Sequence, residues 1–273
     1  MFDRLRCISL ICAVSASCIL PAHAQQVTKD IAYTSGPEDP QAGDLYEPAG
    51  PGPFPAIVYI HGGSWRSGNK NEFHVLAADL AAQGYAGFSI NYDLHPHSFP
   101  TSFQEAQTAV RFLRTHAAEY HIDPNQIVVA GESAGGELAG LVALATDDSS
   151  TAVSAAIVFN GAYRLSPSIR VIARYLGVKH EKKPRLFKDA SPFSQIHAGA
   201  PPFFVGHGTA DHIVPYDEAQ LFIHALQEQN VPVTTYVATG GPHGYWKKSK
   251  FYAPNLAAVK SFLATTLHPA AQP

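Results

Sequence analysis

The chain has 273 residues, of which 46% are apolar and 15% are charged, so its composition excludes a disordered polypeptide and favours one globular domain. The net charge of −3 does not suggest nucleic acid as a partner. The three cysteines, Cys7, Cys12 and Cys18, all lie near the start of the chain. The remaining sequence therefore offers no thiol for a disulfide framework, a cysteine nucleophile or a thiolate metal site.

The first residues have the pattern of an export signal. Met1–Arg6 is a charged start, Cys7–Leu20 is a short apolar run, and Ala22–Ala24 places small residues at the cleavage spacing. We therefore expect a signal peptide over residues 1–24 and a secreted or periplasmic protein. A lipoprotein with Cys18 as its acylated residue is the weaker alternative, since the position three residues earlier is serine rather than aliphatic. No run in the chain is long and apolar enough to predict a membrane span.

Short apolar runs alternate with segments of helical periodicity along residues 25–273, which we predict to form a single domain. In chain order, we predict strands over Val27–Tyr33, Asp44–Tyr46 and Ala56–Ile60, a helix over Leu76–Ala82, a strand over Tyr85–Asn91, a helix over Phe103–Tyr120, a strand over Gln126–Ala130 and a helix over Glu137–Ala145. There follow strands over Ala155–Phe159 and Phe203–Gly206, a helix over Tyr216–Gln229, a strand over Val233–Ala238 and a helix over Asn255–Leu267.

This alternation predicts an α/β fold with a doubly wound, mostly parallel sheet that helices cover on both faces. The first two strands have no helix between them, so we expect them to be antiparallel strands at one edge. Residues 161–200 interrupt the alternation of predicted strands and helices, and we predict a short cap-like insertion there.

Gly131-Glu132-Ser133-Ala134-Gly135 lies between a predicted strand and a predicted helix. A serine held out of the sheet on such a sharp turn needs small neighbours, which explains a glycine two positions to either side. The alternative is a glycine-rich phosphate loop, but the lysine followed by serine or threonine that such a loop uses is missing. The pattern therefore predicts Ser133 as a nucleophile.

A serine nucleophile needs a base and an acid, which in a doubly wound hydrolase follow in the order Asp, His. Asp211 comes just after one predicted strand, and His243 lies in a Gly/Pro loop after the last, so both lie at the carboxyl edge of the sheet. His95 and His97 also follow a strand and are rivals to His243. Asp217 is the rival to Asp211, although it opens a helix, where acidic residues are common.

His61-Gly62-Gly63-Ser64-Trp65 follows the first core strand. Glycines there allow backbone N–H groups to face a substrate oxygen, so we predict an oxyanion hole from the N–H groups of Gly62, Gly63 and Ala134. A simple strand-ending turn is the alternative. Three glycine-flanked sites after successive strands favour the catalytic interpretation.

These stretches, together with Asn91-Tyr92-Asp93-Leu94, His207-Gly208-Thr209-Ala210-Asp211 and His243-Gly244, resemble the α/β-hydrolase family. The resemblance is to its small esterases, such as the hormone-sensitive-lipase group and bacterial feruloyl-esterase-type domains. It implies Ser133, Asp211 and His243 as the catalytic triad, the Gly62, Gly63 and Ala134 amides as the oxyanion hole, and no cofactor. Asp93 stands where relatives often carry arginine, and Glu137 where they often carry histidine or asparagine. The substrate of a relative is therefore not transferred to this chain.

Two further features bear on the substrate. We expect aromatic residues in the predicted loops to line its pocket, namely Trp65, Tyr92, Tyr163, Tyr245 and Trp246. The 161–200 insertion carries eight basic and two acidic residues. That charge is typical of a solvated helix face, or of a basic rim that attracts anionic substrates.

We therefore expect a serine carboxylesterase that acts on a small-molecule or carbohydrate ester, with acetyl and feruloyl esters as candidates. An amide-bond hydrolase, either formamidase-like or a small exopeptidase, would use the same triad. A catalytically silent binding protein on the same fold is the third possibility. No metal is expected, since the histidines lack a ligand spacing such as His-Glu-x-x-His.

Overall fold

The computed structural model describes residues 26–35, 41–96, 99–166, 168–177 and 183–267. The predicted signal peptide, with the three cysteines, lies outside these residues and stays a prediction. Within the described residues, no helix is long and apolar enough to cross a membrane.

Within these described ranges, eight strands form one sheet in the order β1-β2-β4-β3-β5-β6-β7-β8. Their bounds are β1 Gln26–Ala32, β2 Ala42–Glu47, β3 Phe54–Ile60, β4 Ala86–Ile90, β5 Ile122–Glu132, β6 Ala155–Phe159, β7 Phe203–Gly208 and β8 Val233–Ala238. Strand β2 pairs antiparallel with β1 and β4, whereas every pair from β4 to β8 is parallel. The prediction of a mostly parallel sheet with an antiparallel N-terminal edge is confirmed.

The helices lie between these strands in the sequence, except for α8, which follows β8. They are α1 His74–Ala81, α2 Thr101–Thr115, α3 Ala134–Leu144, α4 Arg170–Tyr175, α5 Pro184–Asp189, α6 Pro192–Gln195, α7 Tyr216–Glu228 and α8 Ser249–Thr266. Three of them, α4, α5 and α6, belong to the 161–200 segment between β6 and β7. Helix α3 begins three residues before the predicted start, directly after Ser133.

Both faces of the sheet are buried, as β3 shows. All seven of its residues are buried, and alternate side chains point to opposite faces. Ala56, Val58 and Ile60 pack in a core with α2, α3 and α7. Ile57 and Tyr59 pack in a second core with α1 and α8. Because parallel strands share one direction, β3, β5, β7 and β8 all end at the same edge, where the loops of the site meet.

Candidate active site

Ser133 occupies a strained turn between β5 and α3. Its backbone has φ 54° and ψ −115°, a positive φ that is uncommon for a residue other than glycine. Backbone carbonyl oxygens lie very close to the glycines of this turn. A Cβ added at Gly131 would lie 2.0 Å from the carbonyl oxygen of Gly135, and one added at Gly135 would lie 2.0 Å from that of Ile60. Both positions therefore require glycine, and the turn holds the serine hydroxyl out at the end of the sheet.

Ser133, His243 and Asp211 form a continuous hydrogen-bonded chain. His243 Nε2 lies 3.0 Å from Ser133 Oγ, and His243 Nδ1 lies 2.8 Å from Asp211 Oδ2. Asp211 Oδ1 also accepts hydrogen bonds from the backbone N–H groups of Ile213 and Val214, at 2.9 and 3.0 Å. Since the Asp211 carboxylate can only accept, it fixes the proton on Nδ1 and leaves Nε2 to accept a proton from the serine.

Two residues to which the sequence analysis gave no role also hold Asp211. Asn160, directly after β6, donates from Nδ2 to Asp211 Oδ2 at 2.6 Å. His207 in β7 donates from Nε2 to the carbonyl oxygen of Val214 at 2.9 Å, and the same nitrogen lies 3.3 Å from Asp211 Oδ2. Burial alone would raise the pKa of Asp211, but the hydrogen bonds from His207, His243 and the backbone N–H groups lower it well below its ordinary value. Asp211 is therefore a permanently charged group.

A second carboxyl group lies on the other side of the imidazole. Glu132 Oε1 is 3.4 Å from His243 Nε2, and the Glu132 side chain is almost fully buried. Glu132 also shares a hydrogen bond with Glu72, whose Oε1 is 2.9 Å from Lys247 Nζ. Burial, with the neighbouring Glu72 carboxyl, raises the pKa of Glu132 to about 8 against the opposing effects of His243 and Lys247.

The pKa of His243 responds to both acids. Burial disfavours the imidazolium, but the hydrogen bond to Asp211 and the negative charges of Asp211 and of Glu132, where Glu132 is ionised, outweigh burial and raise the pKa of His243. Because Glu132 and His243 are only 3.4 Å apart, they titrate as a coupled pair. Sequence reasoning missed Glu132 in this role, although its place directly before the nucleophile was the available signal.

Of the three predicted oxyanion groups, two lie at cavities that include Ser133. Gly63 lines one such cavity and Ala134 lines another. Among the hydrogen bonds of the described residues, none uses the backbone N–H of Gly63 or Ala134 as donor. Gly62 instead packs against an acid, since a Cβ added there would lie 2.1 Å from Glu132 Oε2. Two N–H groups next to the serine are thus available to a substrate oxygen.

Two cavities meet at Ser133. The cap-side cavity has a volume of about 550 Å³ and is mostly apolar; its lining includes Trp65, Tyr163, Leu165, Ile169, Ile172 and Val214. The histidine-side cavity has a volume of about 540 Å³, and most of its lining side chains are polar; they include Ser67, Glu72, Glu132, His243, Lys247 and Lys248. Among the described residues, no group of three or more His, Cys, Asp or Glu side chains is placed to hold a metal ion.

Trp65 and Tyr163 line the cap-side cavity, as expected of pocket residues. The Trp65 ring stacks on Tyr175 of α4, with centroids 4.3 Å apart, and its Nε1 donates to Glu137 Oε2 at 3.0 Å. Trp65 therefore ties the loop after β3 to α3 and to the 161–200 segment. The Tyr163 ring stacks on Phe222 of α7 at 4.4 Å.

The other three predicted aromatic residues line neither cavity at Ser133. Tyr92 is buried beside the loop after β3, where its ring stacks on His61 and its hydroxyl donates to the His61 carbonyl oxygen at 2.9 Å. Tyr245 and Trp246 belong to the core between the sheet and α8, and Trp246 stacks on Phe73 at 4.6 Å. These two follow His243 closely in sequence, but their rings point into the core beneath the loop rather than towards the substrate.

The remaining candidates lie elsewhere. His95 and Asp93 line a different cavity, and Asp93 accepts a hydrogen bond from Gln41. His97 lies outside the described residues. Asp217 is exposed in the first turn of α7, as a helix-start charge would be.

Glu137 is not at an open edge of the site but completely buried in α3. Burial raises the pKa of Glu137 well above its ordinary value, against the opposing hydrogen bond from Trp65. Within the described residues, its Oε1 has no hydrogen-bond partner. Such a side chain is a neutral carboxyl that holds Trp65, not a substrate-facing charge.

Some basic residues of the 161–200 segment form ion pairs. Arg164 lines the cap-side cavity and forms a two-pronged ion pair with Glu218 of α7, with contacts of 2.8 and 2.5 Å. Arg185 lies 3.6 Å from Asp189 in α5. Lys179 and Lys182 lie outside the described residues. Steering of anionic substrates by this segment stays a prediction.

Comparison with known proteins gives relatives along most of the chain. It is 32% identical over 247 residues to the probable carboxylic ester hydrolase LipM of Mycobacterium tuberculosis, covering 81% of this chain and 57% of LipM. It is 31% identical over 218 residues to the esterase LipC of the same organism, covering 71% of this chain and 53% of LipC. The chain thus spans little more than half the length of these two curated relatives.

Among solved structures, the chain resembles a thermophilic esterase, Est2 of Thermogutta terrifontis, with propionate bound. The TM-score is 0.79 at 27% identity, over 91% of this chain and 97% of Est2. The same esterase phosphorylated by paraoxon gives a TM-score of 0.78 at 27% identity, over 92% and 97% of the two chains. The predicted α/β-hydrolase fold is therefore confirmed. Because the BD-FAE family model also matches residues 44–226, the chain belongs to the BD-FAE family of α/β-hydrolases.

Proposed function

We propose that the protein is a serine carboxylesterase that works through an acyl-enzyme intermediate. The observation that carries the proposal is the unbroken chain from Ser133 Oγ through His243 to Asp211, with contacts of 3.0 and 2.8 Å. The backbone N–H groups of Gly63 and Ala134 beside the serine add the electrostatic part of such a site. The names of LipM, LipC and Est2 as ester hydrolases support the choice of reaction.

In the first half-reaction, Ser133 Oγ attacks the ester carbonyl carbon while His243 Nε2 takes the hydroxyl proton. The negative charge that develops on the carbonyl oxygen lies at the free N–H groups of Gly63 and Ala134. Asp211 keeps Nδ1 protonated and stabilises the imidazolium that forms. His243 then gives its proton to the alcohol oxygen, the C–O bond breaks, and the acyl group remains on the serine.

In the second half-reaction, water takes the place of the alcohol. His243 Nε2 removes a proton from the water, whose oxygen attacks the acyl carbon of the intermediate. The same N–H groups hold the oxyanion again. Collapse returns the proton to Ser133 Oγ and releases the carboxylic acid, so the enzyme is restored without a cofactor entering any step.

The test is hydrolysis of p-nitrophenyl butyrate by the purified protein and by Ser133→Ala. We expect kcat to fall by at least about 1,000-fold in the variant, since removing a triad nucleophile typically costs much more than that. Ser154→Ala is the matched control, because that hydroxyl binds the carbonyl oxygen of Asn125 on the surface. Full activity in Ser133→Ala would refute the assignment.

Two further measurements separate the alternatives. Paraoxon should label the wild type at Ser133 and leave Ser133→Ala unlabelled; a folded wild type that neither reacts nor turns over would favour a binding protein. Butyryl anilide, compared with the butyryl ester, tests the bond that is cleaved, and faster anilide hydrolysis would favour an amide hydrolase. Acetyl and feruloyl esters of one sugar, run side by side, test the acyl groups that the sequence suggested.

A further inference from the structure

The two cavities differ in which catalytic groups they include. Both are lined by Ser133, but His243 lines only the histidine-side cavity, whereas Ala134 lines only the cap-side cavity. An ester bound for attack at Ser133 therefore has two directions in which its halves can extend. The chemistry of the reaction decides which half goes where.

The alcohol half must lie on the side of His243. Expulsion of the alcohol requires a proton from His243 Nε2 on its oxygen, so that oxygen must come within hydrogen-bond reach of the imidazole. The acyl half extends from the same carbon in the other direction, towards Ala134 and the apolar lining of Trp65 and Ile172. The catalytic serine thus lies between the cap-side cavity, which would take the acyl chain, and the histidine-side cavity, which would take the alcohol.

The histidine-side cavity presents two ammonium groups, of which that of Lys247 contacts its neighbours. Lys247 Nζ is 2.9 Å from Glu72 Oε1, and it lies 5.4 Å from the ring centroid of Trp246. A methyl group added at Gly244, directly after His243, would lie 3.9 Å from both Lys247 Nζ and Glu132 Oε1. The ammonium is therefore held next to the catalytic imidazole by the ion pair and the ring beneath it.

The charges of this cavity do not cancel. Glu72 balances Lys247, and Lys248 is exposed at the rim with no ion-pair partner in the described parts of the chain. The raised pKa of Glu132 keeps that carboxyl largely neutral below about pH 8. An alcohol in this cavity consequently meets the two ammonium donors beside the carboxyl groups of Glu72 and Glu132.

We propose that the histidine-side cavity is the alcohol subsite and that Lys247 and Lys248 select alcohols whose additional oxygen atoms accept hydrogen bonds. This inference rests on the proposed esterase function. A neighbouring hydroxyl of a polyol and a carboxylate of a hydroxy acid both meet the requirement, and both would bind the ammonium groups by charge-assisted hydrogen bonds. Simple alkyl alcohols offer no such acceptor.

The experiment compares three butyrate esters that share one acyl group and differ in the alcohol: ethyl butyrate, glyceryl 1-monobutyrate and carboxymethyl butyrate. The quantity measured is the kcat/KM of each polar ester divided by that of the ethyl ester, because kcat/KM reports acylation, the step in which the alcohol is bound. Lys247 also influences the pKa of His243, but that influence acts on all three esters and cancels in the ratio.

In the Lys247→Gln/Lys248→Gln variant, we expect at least one polar-to-ethyl ratio to fall about tenfold. A fall for the glyceryl ester alone identifies a polyol, a fall for the carboxymethyl ester alone identifies a hydroxy acid, and a fall for both supports the shared chemistry. Lys250→Gln is the matched control. It removes a charge from the same segment, but Lys250 lies over the ring of Phe251 and outside the cavity.

Unchanged ratios in a variant that still hydrolyses ethyl butyrate would overturn the alcohol subsite and leave the esterase function standing. A wild type that hydrolyses none of the esters would instead refute the proposed function. If the double variant does not fold, wild-type acyl transfer gives the answer. Glycerol should capture the butyryl-enzyme at least several-fold better than 1-propanol at equal concentration, and equal capture would overturn the proposal.

Discussion

Replacing Glu137 by glutamine removes a buried carboxyl group and keeps its hydrogen bond. Glu137 lies one turn after the nucleophile in α3 and is completely buried. Its Oε2 accepts from Trp65 Nε1 at 3.0 Å, and a glutamine oxygen in the same place accepts equally. Because burial raises the pKa of Glu137 well above its ordinary value, the folded protein holds this proton at pH values where the unfolded chain has lost it.

The size of the effect follows from proton linkage. An unfolded glutamate titrates near pH 4.3, so above that pH the folded state, with its raised pKa, binds up to one more proton than the unfolded state at this residue. The free energy of unfolding of the wild type then loses at most about 1.4 kcal/mol per pH unit from this group as the pH rises. Glutamine has no such proton. Between pH 5.5 and 7.5, the free energy of unfolding of Glu137→Gln should therefore rise relative to that of the wild type by up to about 2.7 kcal/mol.

Urea unfolding at pH 5.5, 6.5 and 7.5, followed by tryptophan fluorescence and circular dichroism, measures this difference. Other titrating groups are common to both proteins and cancel in the comparison. Glu119→Gln, at an exposed position in the turn between α2 and β5, is the control, and its free energy of unfolding should run parallel to that of the wild type. Parallel curves for Glu137→Gln and the wild type would refute the account of Glu137 as a neutral, buried carboxyl.

Two more predictions concern the nucleophile turn. In the wild type, kcat/KM should rise several-fold through about pH 8, because ionised Glu132, 3.4 Å from His243 Nε2, stabilises the imidazolium of the transition state. The pH–rate profile of Glu132→Gln should lack this rise. If the rise persists in the variant, another group is responsible for it. Gly135→Ala should lose at least about 3 kcal/mol of unfolding free energy, since its Cβ would lie 2.0 Å from the Ile60 carbonyl oxygen. Gly199→Ala, where an added methyl group meets nothing within 4 Å, should lose about 1–2 kcal/mol from its positive φ alone, and equal losses would contradict the packing argument.

The sheet and the catalytic triad were predictable because both follow from strand positions. Buried parallel strands are continuous apolar runs, and residues that follow such strands meet at one edge of the sheet. Ser133, Asp211 and His243 each follow a strand, so their convergence needed only the strand order. The start of α3 was missed because Gly135 and its neighbour are weak helix formers, whereas tertiary contact with the end of β3 requires glycine there.

Residues that act through tertiary contacts were not predictable in the same way. Asn160 reaches Asp211 from the end of the neighbouring strand β6, and His207 reaches it from within β7, and no local pattern distinguishes them from ordinary polar residues. Tyr245 and Trp246 were misplaced for the opposite reason, since closeness in sequence to His243 does not say which side of a loop a ring occupies. Their burial beneath the loop follows from packing against α8, which begins only a few residues later.

The two acids beside His243 differ in a way that suits the proposed reaction. Asp211 receives several N–H donors and stays charged, so Nδ1 always carries its proton. Glu132 is buried against the Glu72 carboxyl and has a pKa of about 8. The raised pKa of Glu132 favours its neutral form at neutral pH, and a neutral carboxyl adds no charge that would hold a proton on Nε2. An acid ionised at neutral pH would instead raise the pKa of His243 and extend the pH range in which Nε2 already carries a proton. The environment of Glu132 therefore preserves the base at neutral pH, while the environment of Asp211 orients it.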